Sequence, residues 1–199
     1  MKSIVMGAAC ILVALLLSSF IPTDAEAKIY EDTLRLHILA ASDSKEDQKL
    51  KLMIRDKLLS EYGEQLSTGK NVDEAINLAD GKLEEIETSV EEWIKEAGYS
   101  YSAEVTLTEE WYDTREYENF TLPCGIYTSL RVKIDGGEGK NWWCVMYPPL
   151  CLSAASEPMP NDDCIIDYTS EELRLIGGGK YNIKFKLLEI FSKAFSKKG

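Results

Sequence analysis

Residues 72–108 read VDEAINLADGKLEEIETSVEEWIKEAGYSYSAEVTLT, and within this stretch the hydrophobic period changes. Val72, Ile76, Ala79, Leu83, Ile86, Val90, Trp93 and Ala97 recur in steps of four and three, the spacing of one helix face. Asn71, with Glu74 three residues on, is placed to cap this helix, and Gly98 to end it. Beyond Gly98 the period becomes two: Tyr101, Ala103, Val105 and Leu107 alternate with Ser102, Glu104, Thr106 and Thr108, a strand with one wet face. The heptad-like seam has two readings. It is either a coiled coil with another protein, or one long helix folded back on the helix before it as an antiparallel hairpin.

Upstream, Leu34–Leu39 (LRLHIL) reads as a buried strand with Leu34, Leu36 and Ile38 on one face. Ser42-Asp43-Ser44 breaks it, and Ser44 with Asp47 makes a capping pattern for a helix over Lys45–Tyr62. Its stripe is Leu50, Ile54, Leu58 and Tyr62, and a polar loop follows over Gly63–Lys70. Downstream, strands are predicted over Trp111–Tyr117, Ile126–Ile134 and Trp142–Tyr147. The glycine-rich Asp135–Lys140 reads as a hairpin connection between the last two, and Pro148-Pro149 stops the ladder. A short helix is expected over Ser170–Leu175 and a final one over Tyr181–Lys197. The order of elements predicts an α+β domain: an antiparallel sheet of four to five strands packed by a helical hairpin, with a C-terminal amphipathic helix.

The 199 residues include 34 acidic and 22 basic side chains, a net charge of −12. That balance opposes nucleic-acid binding, which needs a basic face. Residues 1–27 have a positive start at Lys2, an apolar run over Ile4–Leu17 and an Ala25-Glu26-Ala27 end, the pattern of a secretory signal peptide. The exported domain is then 28–199, and an uncleaved leader would serve as a membrane anchor. Its four cysteines, Cys124, Cys144, Cys151 and Cys164, read as two disulfides with three connectivities open. No pair has the short spacing of a zinc site, and no cofactor motif is present. Gly137-Glu138-Gly139-Lys140 lacks the other residues of a phosphate loop. The last twenty residues, 180–199, carry six lysines and one acid, which suits either an anionic membrane surface or a helix docked on the acidic body.

One histidine, His37, rules out most hydrolase constellations. Arg35, His37 and Asp43 interrupt or border an apolar strand, as either a satisfied structural cluster or a partner contact. Asn141, Trp142, Trp143, Pro148 and Pro149 lie in a stiff aromatic segment that suits a protein contact or a sugar platform. In a strand the two tryptophans face opposite ways, so one belongs to the core. Both segments are expected to lie together as one recognition patch.

Three stretches carry a likeness: Arg35–Ser44 (RLHILAASDS) followed by Glu46-Asp47-Gln48; Leu50-Lys51-Leu52 through Arg55-Asp56; and Gly137–Cys151 (GEGKNWWCVMYPPLC). Together they resemble the stage II sporulation protein R family of endospore-forming bacteria, over about Thr33–Leu152. The resemblance implies a non-enzymatic signal, exported from the forespore into the septal intermembrane space. There it would activate a membrane-embedded aspartic protease of the mother cell that processes the sigma-E precursor. It also implies a Cys144–Cys151 bridge, with Cys124 and Cys164 as an added pair, since the family commonly has a small residue in place of Cys124. Ala41 stands where the family usually has Asn. The rival functions are a secreted cell-wall hydrolase and a carbohydrate-binding module.

Overall fold

The computed structural model describes residues 24–116 and 121–149, together with Met6, Gly7 and Cys10. Most of the leader expected over 1–27, with Cys151, Cys164 and both helices expected beyond residue 169, lies outside these residues. Among them, no helix is long and apolar enough to cross a membrane. In chain order the elements are α1 (Asp24–Glu31), β1 (Leu34–Leu39), α2 (Lys45–Ser67), α3 (Val72–Asp80), α4 (Leu83–Glu96), β2 (Ala103–Tyr112), β3 (Arg115–Glu116), β4 (Thr121–Leu122), β5 (Gly125–Ile134) and β6 (Asn141–Tyr147).

The chain divides into two compact units. In the first, described over 24–29, 111–116 and 121–125, β3 and β4 pair antiparallel, Arg115 with Leu122 and Glu116 with Thr121. Its buried side chains include Ile29, Tyr112, Leu122 and Cys124. The second unit, described over 30–110 and 126–149, holds a four-stranded sheet in the order β2-β5-β1-β6 with α2, α3 and α4.

The α+β class and the four-stranded sheet are as expected, but the sheet is mixed. β1 pairs with β5 in parallel, Leu36 beside Leu130, and with β6 antiparallel, Leu36 beside Cys144. β1 therefore lies between β5 and β6. Asp135–Lys140 is not a hairpin turn but a short connection passing over the end of β1. Spanning two strand spacings takes about 10 Å, well within reach of six residues. Its place between two strands also explains why β1 is almost wholly buried, Arg35 and His37 included: it has strands on both sides and packing on both faces.

Leu34, Leu36 and Ile38 are fully buried on the face that α2 covers. Trp142, level with Ile38, lies on that face, with the Arg55 guanidinium of α2 5.2 Å from its ring centre. Ser44 caps α2 as predicted, its hydroxyl accepting from Asp47 N at 3.1 Å. The helix runs on to Ser67, five residues past the expected end, because Tyr62, Gly63 and Leu66 are buried.

Asn71 caps α3 as predicted, its side chain accepting from Glu74 N at 2.9 Å. The single long helix expected after it is two helices, with a break at Gly81-Lys82. Glycine weakens a helix interior by about 1 kcal/mol, and here the chain turns. Both pieces pack on α2. The apolar seam is accordingly discontinuous. Ile86, Val90 and Trp93 are buried, but Ile76 and Leu83 are only half-buried and Ala97 is exposed.

Candidate functional site

The corner where β1 leaves the sheet is built almost entirely from hydrogen bonds. Ser42 turns the chain: its hydroxyl bonds the Asp47 carboxylate and accepts from Ser44 N at 3.1 Å. Its carbonyl accepts from the Gln48 side chain at 2.8 Å. Tyr101 donates its phenol to the other Asp47 oxygen at 3.2 Å. Ser42 chiefly, with Ser44 and Tyr101, holds the Asp47 carboxyl below its ordinary value of 3.8 although burial pushes the other way. The same Asp47 bond raises the Tyr101 phenol.

The 135–140 connection is fastened onto this corner. Gly139 N donates to Ala40 O at 2.9 Å. A Cβ on Gly139 would lie 2.2 Å from Ser42 O, so only glycine permits the approach. The Lys140 peptide is held from both ends: its N–H donates to Asp43 Oδ1 at 2.7 Å, and its carbonyl accepts from Lys51 Nζ at 2.8 Å. Lys51 also donates to Gln48 Oε1 at 2.7 Å and is only 4 % exposed. Burial lowers its ammonium from the ordinary lysine range, with the charge of Asp43 opposing.

A second polar group lies on the sheet face opposite α2. His37 Nδ1 is 2.7 Å from Glu110 Oε2, and Arg131 donates to Glu110 Oε1 at 3.3 Å. Trp143, level with His37, stacks on the imidazole with ring centres 5.7 Å apart. Deeper on this face Arg35 is fully buried, its guanidinium 4.9 Å from the Tyr127 ring centre. Tyr30 packs edge-on against the same tyrosine.

The residues expected to share one patch are thus divided. Asp43 and Asn141 lie at the corner, with His37 and Trp143 two positions further into the sheet. Arg35 is an interior residue, not a surface one. Pro148 and Pro149 follow the far end of β6, about 20 Å along the strand from Asn141. The expectation of one core tryptophan fails as well: Trp142 and Trp143 are both half-buried, on opposite faces, each with one ring face engaged. Cys144 is one half of a disulfide whose other half lies outside the described residues. Cys124 is buried, and Cys164, its expected partner, lies outside the described residues. Among the described residues, no group of three His, Cys, Asp or Glu side chains is placed to hold a metal ion.

Sequence reasoning missed Lys51, Gly139, Lys140, Glu110 and Arg131 as parts of these clusters. Lys51 follows Leu50 of the buried stripe, which is the one local sign that it faces inward. Its acceptor lies 89 residues away. Nothing local announces Glu110.

Fold and corner define a small α+β module whose buried polar groups engage one another. The chain belongs to the stage II sporulation protein R family, whose model matches residues 30–157. It is 36 % identical over 124 residues to stage II sporulation protein R of Bacillus subtilis (strain 168), covering 62 % of this chain and 55 % of that protein. The chain thus spans about half the length of this curated relative. No solved structure matches it.

Proposed function

We propose that this protein is a sporulation signal, exported across the forespore membrane into the space between the septal membranes. There it engages the extracytoplasmic part of the mother cell's membrane-embedded aspartic protease and promotes cleavage of the sigma-E precursor. It acts by binding, not by catalysis. The observation that carries this reading is the meeting of motif segments on which the family likeness rests. Asp43 and Lys51, each from one segment, grip the peptide of Lys140 in another, at 2.7 and 2.8 Å. A corner held this rigidly loses little entropy when a partner docks, which suits a signal read by shape.

Reconstitution of protease and precursor in vesicles, with and without the purified exported chain, tests the reading. Cleavage that rises only when the chain is added supports it. Release of soluble fragments from peptidoglycan by the chain alone would instead identify a hydrolase. Septal wall binding without any effect on cleavage would identify a carbohydrate module.

A further inference from the structure

β2 is the last strand on its side of the sheet, and among the described residues no strand pairs with its outer side. The direction of its backbone groups is fixed by their partners. Ser102 O accepts from Asp135 N at 2.8 Å, on the side of β5, whereas Ala103 N and Val105 N donate outward to Glu91 and Glu87 of α4. Each of these carboxylates stands where a neighbouring strand would place a carbonyl. Alternation along the strand turns the N–H groups of Leu107 and Glu109 to the same outer side. The α4 cover stops short of them. The helix begins at Leu83, one turn before Glu87, and among the described residues no other α4 side chain bonds a β2 amide.

Resting on the function proposed above, we propose that β2 beyond Val105 is a strand-addition site, where the partner polypeptide lays an extended segment carrying lysine or arginine along residues 106–110. Strand addition draws its affinity from main-chain hydrogen bonds and its specificity from alternate side chains. The charge of the edge selects the occupant. Glu104 and Glu109 lie on β2 itself, and Glu87 and Glu91 border it from α4. Lys133 meets Glu104 at 3.6 Å, but Glu109 is exposed and enters none of the ion pairs among the described residues. Opposite charges across paired strands attract and like charges repel, so a basic segment fits this edge and an acidic one does not. A second copy is a poorer occupant, because it would set two acidic edges against each other in a protein of net charge −12.

The test follows amide hydrogen exchange of the full chain, resolved by residue, with and without the membrane protease in detergent. The Leu107 and Glu109 amides are expected to slow by about tenfold or more on binding, while those of Ala103 and Val105, already bonded, change little. Glu109→Lys keeps the backbone and is expected to weaken both binding and activation by about tenfold, with Glu109→Gln intermediate. Wild-type binding should weaken as salt rises. Activation of cleavage with no added protection at Leu107 and Glu109 overturns the site and leaves the functional reading in place. Glu109→Lys that binds like wild type overturns the basic occupant. Protection of the same amides that rises with the concentration of the chain alone identifies a second copy instead and overturns the proposal. A wild-type chain that neither binds the protease nor raises cleavage overturns the functional reading, and the strand-addition site falls with it.

Discussion

At the scale of single residues, the corner concentrates several polar groups whose removal has a calculable effect. Lys51→Met deletes the donor to two acceptors, and hydrogen bonds to a charged group are worth about 1.5–3 kcal/mol. A loss of stability in that range in urea melts is expected, and an unchanged midpoint would show that the clamp is not needed for folding. Gly139→Ala forces a methyl to 2.2 Å from Ser42 O, which requires the backbone to move. Its expected loss is about 1–3 kcal/mol, read by the same melts. Asp47 contributes to the acid limb. Its folded-state pKa is depressed below 3.8, so its stabilisation is fully present above that value and is lost as pH falls through the folded-state value. Asp47→Asn should flatten the stability–pH curve below about pH 4, and an unaltered curve would locate the acid sensitivity elsewhere.

At the scale of elements, β2 is an edge strand of the sheet, and edges invite pairing with other chains. The helix α4 covers part of this edge with carboxylates one turn apart. Glu87 Oε2 accepts from Val105 N at 2.9 Å, and Glu91 Oε1 accepts from Ala103 N at 3.4 Å. Removing both, as Glu87→Ala with Glu91→Ala, is expected to raise self-association in sedimentation runs at increasing concentration. A double variant that stays monomeric throughout would mean the edge is protected by other means. The caps at Ser44 and Asn71 were legible because donor and acceptor are three residues apart. The helix break at Gly81 was not, because a heptad count weighs apolar positions and passes over a glycine between them. The parallel β1–β5 pair was hidden for a different reason. A strand's own alternation says which side is wet, but nothing about which distant strand lies beside it.

At the scale of the whole molecule, the chain combines an acidic body with the basic residues 180–199. Vesicle flotation on anionic lipid, with and without those residues, is expected to show weaker binding for the truncated chain if they meet a membrane, and equal binding removes that role. Mass mapping of the oxidised protein is expected to join Cys144 to Cys151. By itself the sequence determined what depends on near neighbours and on composition: the α+β class, the β1 strand and its break, the capped starts of two helices, the leader pattern and the family likeness. It also marked Asp43 and Asn141 as members of the corner. Only the tertiary structure decided that β1 enters the sheet between β5 and β6, that Arg35 is interior, and that Lys51 reaches across 89 residues to Lys140. The physical reason is range. Caps and periodicity are satisfied within a turn or two of chain, whereas strand order and buried polar partners are settled only when distant segments compete for the same hydrogen bonds and the same apolar surface.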